Sequence, residues 1–327
     1  MNEETTNYYQ NETSVNAEIR SEFPAKPSEE SKEQTIKRSL ISVGLFIVLF
    51  YLVFKWDLAY IMVLAGIIFI HEFGHYLAMR IFKYKDLTIF FVPLVGAFAS
   101  GAKENISQKQ SVIILLSGPV PGLIIGIILF HFGQTYKSEF LFKTSNIFIF
   151  LNLFNLLPIM PLDGGRVLKS LFFENNEIIN KIFIFISIAV LTYYSVVSQS
   201  YFLLLIPFFL ITQLTSQVQV KKLQREIQNQ GINLNKTFDE LTDEEYWLIR
   251  DQIGTNLKYF GRFISPKKYV VSDNEQSIIK QVKSVIRKKP VEDLNIGGKI
   301  LITAICIVSF FGPLAFVALY YLSILNQ

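Results

Sequence analysis

A single cysteine, Cys306, stands in a chain of 327 residues, and it lies inside an apolar run. That excludes a disulfide framework and a cluster of thiolate metal ligands. Charge is scarce too. Asp, Glu, Lys and Arg make up 18% of the residues, and a net charge of +4 gives no reason to expect a nucleic-acid partner. Residues 1–36 are polar and glutamate-rich, with no apolar segment and no cleavage pattern, so no secretory signal is expected. No period of 20 to 50 residues recurs, which excludes a repeat array. Histidine is rarer still, with only three: His71, His75 and His131.

Apolar side chains are abundant. Hydrophobic residues reach 51% and aromatics 14%, with a mean hydropathy of +0.36. They are gathered into runs of membrane-spanning length, which a soluble core does not need. The expected class is an all-α polytopic membrane protein of about seven transmembrane helices. The runs fall near 39–54, 58–82, 110–132, 143–162, 180–197, 199–216 and 299–325. Each is read as able to cross a hydrocarbon core of about 30 Å at about 1.5 Å per residue.

Between the second and third runs, "LTIFFVPLVGAFASGAKENISQKQ" alternates weakly and is broken by Pro93 and Gly96. It reads as a strand or re-entrant element rather than a helix. The expected organisation is a disordered polar tail (1–36), a membrane-embedded core (37–216) and a cytoplasmic helical insert (217–297). A final transmembrane helix (298–327) completes it. In the insert, Thr242 and Glu245 match a capping box opening an amphipathic helix. Loop charges orient the chain. With a cytoplasmic N-terminus, the inner loops hold Lys37, Arg38, Arg80, Lys83, Lys85, Lys103, Lys109, Arg166, Lys169 and Lys181, and the basic insert lies inside too. The outer loops hold only Lys55, Lys137 and Lys143.

One apolar run is costly. "IIFIHEFGHYLAMRIF" (67–82) carries His71, Glu72 and His75. A fully charged group at the centre of a spanning helix costs about 2.5–3.5 kcal/mol even on insertion scales, so such groups persist where they have a function. His71 and His75 are four apart and share a helix face, which lets two imidazoles converge on one metal ion. Glu72 is rotated by about 100° from His71. It sits beside the metal, where it can take a proton from an attacking water. H-E-x-x-H is the zinc hydrolase signature. A catalytic zinc needs a third protein ligand, and His131 lies at the far end of its own span. Asp163, in "NLLPIMPLDGG" (155–165), is the better candidate. Pro158 and Pro161 break the helix ahead of it, and Gly164 and Gly165 loosen the backbone behind it. Alone, an aspartate before two glycines is an ordinary turn; paired with H-E-x-x-H it becomes a ligand.

"HEFGH" and "NLLPIMPLDGG", in this order on separate apolar segments, resemble the site-2 protease family of intramembrane zinc metalloproteases. The resemblance covers about 58–170. It implies one Zn2+ per subunit held by His71, His75 and Asp163, with Glu72 as general base and then proton donor to the leaving amine. It also implies that Asn155 sits near the site, where it could hold substrate or oxyanion. "LLSGPVPG" (115–122) is similar to the family's Gly-Pro stretch. Many relatives carry Asn where this chain has Gly122, so only close helix packing through Gly118 and Gly122 is expected there. "PLVGAFASG" (93–101) resembles a strand or loop that follows the first catalytic helix, and its edge could capture an unwound substrate.

The expected activity is hydrolysis of peptide bonds in or near transmembrane segments of other proteins, in regulated intramembrane proteolysis. The expected setting is multi-pass in a bacterial cell membrane, with the lipid bilayer as partner and a regulator on the insert. Three alternatives stand beside it. They are a membrane metalloprotease of another clan with a glutamate third ligand, a non-enzymatic transporter, and an inactive regulatory protein of the same fold.

Overall fold

A computed structural model describes residues 23–28, 35–92, 96–103, 106–174, 176–257, 261–262, 269–286 and 291–325. The chain divides into two compact units. One comprises residues 32–214 and 290–327, the other residues 1–31 and 215–289.

The larger unit is built of helices and one hairpin. Helix α1 (Thr35–Phe54) precedes α2 (Leu58–Ile81), whose start is capped by Asp57 accepting from Ala59 N–H at 2.7 Å. Strands β1 (Lys85–Val92) and β2 (Gly96–Ala102) follow as a two-stranded antiparallel sheet, pairing Thr88 with Ser100 and Val92 with Gly96. The element after α2 is thus a strand pair, although Pro93 falls outside the described residues. The hairpin is pinned from β1. Phe91 is buried against Phe46, Ala65 and Ile68, and its N–H donates to Ser42 Oγ at 3.0 Å.

The third apolar run folds as two helices, α3 (Gln108–Leu116) and α4 (Pro119–Thr135). Pro119 has no N–H to continue the ladder and stands at the start of α4. Helix α5 (Glu139–Asn155) packs along α4 through glycines that take no side chain. A Cβ on Gly126 would lie 2.8 Å from Ile149 Cγ1, and one on Gly133 would lie 2.8 Å from Phe142 N. Next come short α6 (Asp163–Leu168), α7 (Glu177–Val197), α8 (Leu205–Asn229) and, after the other unit's helices, the last helix of the chain (Ile296–Leu325).

Four stretches are long and apolar enough to cross a membrane: Leu58–Ile81, Gln108–Thr135, Glu177–Val197 and Ile296–Leu322. Their outward faces carry large apolar side chains, among them Ile81, Ile178, Tyr193 and Val308, a surface that water would not tolerate. This is a membrane protein. The expected count of seven is not reached among the described residues, for reasons visible in three places. The apolar part of α1 is a shorter helix, Ser39–Phe54. The run at 143–162 is helical only to Asn155, because Pro158 and Pro161 withhold the N–H groups a further turn would need. The run at 199–216 opens as a 3-10 turn (Tyr201–Leu204), and the following helix carries straight on through polar residues to Asn229.

The smaller unit has its own core. Leu223, Ile227, Phe238, Tyr246, Trp247, Ile249, Ile253, Ile278 and Val282 are buried together. They come from the second half of α8, from α9 (Asp243–Asn256) and from α10 (Glu275–Val285). The last helix of the chain, Ile296–Leu325, is therefore α11. Thr242 and Glu245 form the expected capping box at the start of α9. The N-terminal tail departs from expectation over residues 23–28, which lie along this core. Lys26 Nζ donates to the carbonyls of Phe238 (2.8 Å), Asp239 (3.0 Å) and Leu241 (2.6 Å), and Trp247 Nε1 donates to Pro24 O at 2.7 Å. A single lysine satisfying three loop carbonyls lets a polar segment dock without an apolar run of its own.

Candidate metal centre

Helix α2 buries one face, and His71, Glu72 and His75 all lie on it, 4–7% exposed. The helix comes close to the α3–α4 break because Gly74 and Gly118 have no side chains. A Cβ on Gly74 would lie 2.0 Å from Ser117 O, and one on Gly118 would lie 2.5 Å from His75 Nε2. Near the end of α3, the Ile114 carbonyl accepts from His75 Nδ1 at 2.7 Å.

Asp163 reaches the same place from the far side. The two glycines behind it serve close packing rather than a loosened backbone. A Cβ on Gly164 would lie 2.1 Å from Leu156 O, and one on Gly165 would lie 2.4 Å from Ile159 O. The first turn of α6 therefore lies on the loop that follows α5, which turns the Asp163 carboxylate inward. Met160 N–H, donating to Ser187 Oγ at 3.0 Å, ties that loop to α7.

His71 Nε2, His75 Nε2 and Asp163 Oδ2 converge. Each histidine nitrogen is 3.1 Å from Asp163 Oδ2, and the two nitrogens are 3.2 Å apart. The hydrogen bonds behind the rings decide what faces inward. His75 Nδ1 points at a carbonyl, which can only accept. His71 Nδ1 points at Asn152 Oδ1 at 2.8 Å, and the other end of that amide, Nδ2, is committed to Phe148 O at 2.7 Å. Both Nδ1 atoms therefore donate, and both Nε2 atoms turn lone pairs toward a carboxylate oxygen. With both rings neutral, three acceptors face one another, a set that a bound cation would satisfy. Tetrahedral ligands with bonds of about 2.0–2.1 Å stand about 3.3 Å apart, close to the separations here. The donor set fits zinc: two imidazoles, one carboxylate and no thiolate.

Glu72 is held beside this group, its Oε2 accepting from Ala99 N–H of β2 at 2.6 Å. An N–H bonded to Glu72 points away from β1, so the outer edge of β2 faces the centre. Asn155 does not join the cluster. Its amide donates to Leu151 O, one turn back in α5, at 3.1 Å. Asn152, fully buried one turn before it, is the residue the sequence reading missed. Its signal was an amide in the otherwise apolar second half of α5, masked by the neighbouring motif asparagine.

A substitution at the closest approach gives a first prediction. Gly118→Ala should displace His75, which cannot retreat without losing its bond to Ile114 O. Zinc affinity measured by chelator competition should fall by about tenfold or more while helicity is unchanged.

Comparison with known proteins finds similarity to metalloproteases. The family model described as Peptidase family M50 matches residues 59–146 and 133–194. A zinc metalloprotease of Methanocaldococcus jannaschii is 27% identical over 121 residues, covering 36% of this chain and 34% of that protein. Stage IV sporulation protein FB of Bacillus subtilis is 29% identical over 133 residues, covering 36% of this chain and 46% of its own. The chain thus spans about a third to a half of the length of these relatives. The solved structure of a site-2 protease from M. jannaschii aligns with 52% of this chain and 84% of its own, at 25% identity and a TM-score of 0.41.

Proposed function

We propose, for a chain whose membrane core over residues 59–194 belongs to peptidase family M50, the site-2 proteases, that the protein is an intramembrane zinc endopeptidase. The observation that carries this reading is the convergence of three lone-pair donors, His71 Nε2, His75 Nε2 and Asp163 Oδ2, beside a buried glutamate. Bound zinc supplies a Lewis acid and lowers the pKa of water toward about 7. His71, His75 and Asp163 would hold the ion. Glu72 accepts the proton of the attacking water and returns it to the departing nitrogen. Ala99 N–H holds one oxygen of Glu72, so the other is the proton acceptor.

The substrate is a transmembrane or membrane-near segment of another protein, and the outcome is regulated intramembrane proteolysis. A peptide bond inside a helix is shielded by its neighbours, so the substrate must unwind. The outer edge of β2 offers it backbone pairing within reach of Glu72. Asn155, eight residues before Asp163, would meet the substrate once it is bound. The loop charges support a cytoplasmic N-terminus and a site in the cytoplasmic half of a bacterial cell membrane. The smaller unit is a platform for a regulator.

Substrate trapping tests the reading. Glu72→Gln expressed in native membranes should co-purify with uncleaved membrane proteins that the wild type releases as fragments. Recovery of no such protein, with a wild-type pattern of fragments, would contradict it.

A further inference from the structure

We infer that Asn152 is a positioning residue of the metal centre, holding His71 in the one tautomer and orientation that can bind the ion. The inference rests on the reading of His71, His75 and Asp163 as ligands. Three observations support it. The Asn152 side chain is fully buried in α5, where an amide with two donors and one acceptor is costly unless each end is used. Its ends are used differently: Nδ2 is spent on Phe148 O of its own helix at 2.7 Å, while Oδ1 reaches across to His71 Nδ1 on α2 at 2.8 Å. A third helix is shaped to admit it. A Cβ on Gly122 of α4 would lie 2.4 Å from both Nδ2 and Oδ1, so the amide occupies the space a side chain there would take.

The bond to Phe148 prevents the amide from flipping. Oδ1 therefore always faces the ring, Nδ1 keeps the proton, and the Nε2 lone pair stays aimed at the ion. An acceptor behind a ligating imidazole also raises its basicity, and loss of such a partner typically weakens metal binding about 10–100-fold. His75 has the equivalent support from a main-chain carbonyl, which substitution cannot remove. Asn152 is the side-chain half of the arrangement.

The test compares Asn152→Leu with Asn152→Asp in the purified full chain, reading zinc affinity by chelator competition. Leu keeps the branched heavy-atom skeleton of Asn without its polar atoms, so a purely packing role would largely survive it. Zinc affinity should instead fall about 10–100-fold. Asp keeps the acceptor toward Nδ1, and its zinc affinity should equal or exceed that of the wild type. Wild-type affinity in Asn152→Leu, or equal weakening in both variants, would overturn the inference. If Asn152→Leu does not fold, Asn152→Asp decides: affinity at or above wild type supports the inference, and a tenfold loss overturns it. A His71→Ala control separates the two levels. Undiminished zinc binding there would overturn the metal-centre reading itself, and this inference with it.

Discussion

Asp163→Ala should strip the centre of its ion. The wild type is expected to hold about one zinc per chain; the variant should hold close to none after dialysis and should cut nothing. The reason is arithmetic as well as geometry. A catalytic zinc takes three protein ligands, and His71 and His75 alone leave two. The variant also leaves two imidazole lone pairs 3.2 Å apart with no carboxylate to balance a cation between them. Metal analysis of the purified variant checks this. Full zinc retention would favour a different third ligand, as in a membrane metalloprotease of another clan that uses a glutamate.

The second large effect lies away from the metal. Arg250 and Glu275 are buried in the smaller unit, joined by Nε–Oε1 at 2.7 Å and Nη2–Oε2 at 2.9 Å. Arg250 also donates to Val270 O at 2.8 Å and stacks over Trp247. Tyr246 donates to Glu275 Oε1, and Ser272 N–H donates to Oε2 at 2.8 Å. Arg250→Met would leave the Glu275 carboxylate buried without its cation, and breaking such a pair costs about 3–5 kcal/mol. Hydrogen exchange or limited proteolysis of residues 215–289 within the full chain should show that unit opening. Arg250→Met with Glu275→Leu, which removes both charges, should restore much of the loss.

The same pair gives this unit a pH dependence. Burial would raise the Glu275 carboxyl, but the hydrogen bonds from Arg250 and Tyr246 outweigh it and hold it below the ordinary glutamate value. A depressed carboxyl contributes stability above its unfolded pKa of about 4.3, and that stability is lost as pH falls through the folded value. Acid below about pH 4 should therefore loosen the smaller unit. In Glu275→Leu with Arg250→Met this acid response should be reduced.

The cluster of His71, His75 and Asp163 was legible in the sequence because it rests on residue types that a membrane helix ordinarily excludes. His71, Glu72 and His75 stood out in an apolar run, and the four-residue spacing of the two histidines placed those two on one face. Asp163 was found through its prolines and glycines, although the role given to the glycines changed. They allow α6 to lie on the preceding loop; they do not loosen it. Asn152 was not legible, because nothing in the spacing of 71 and 152 says that one will stand behind the other. Span boundaries were read well where hydropathy and helix coincide, as at Leu58–Ile81. They were read poorly where apolar residues continue past a helix end, as after Asn155, or where a helix outlasts its apolar half, as in Leu205–Asn229. Residues 23–28 escaped for the converse reason. Their docking relies on main-chain carbonyls, one lysine and the single ring of Phe23, too little apolar surface for hydropathy to register.

The central claim is that Glu72 performs the proton transfers of a hydrolysis at a zinc ion it does not bind. The direct measurement compares wild type and Glu72→Gln as purified full chains in lipid, against a membrane-spanning substrate recovered by trapping. Zinc content and cleavage rate are read from the same samples. The account predicts equal zinc in both and cleavage slower in the variant by about 10²–10⁴-fold or more. Cleavage at the wild-type rate with zinc in place would contradict it.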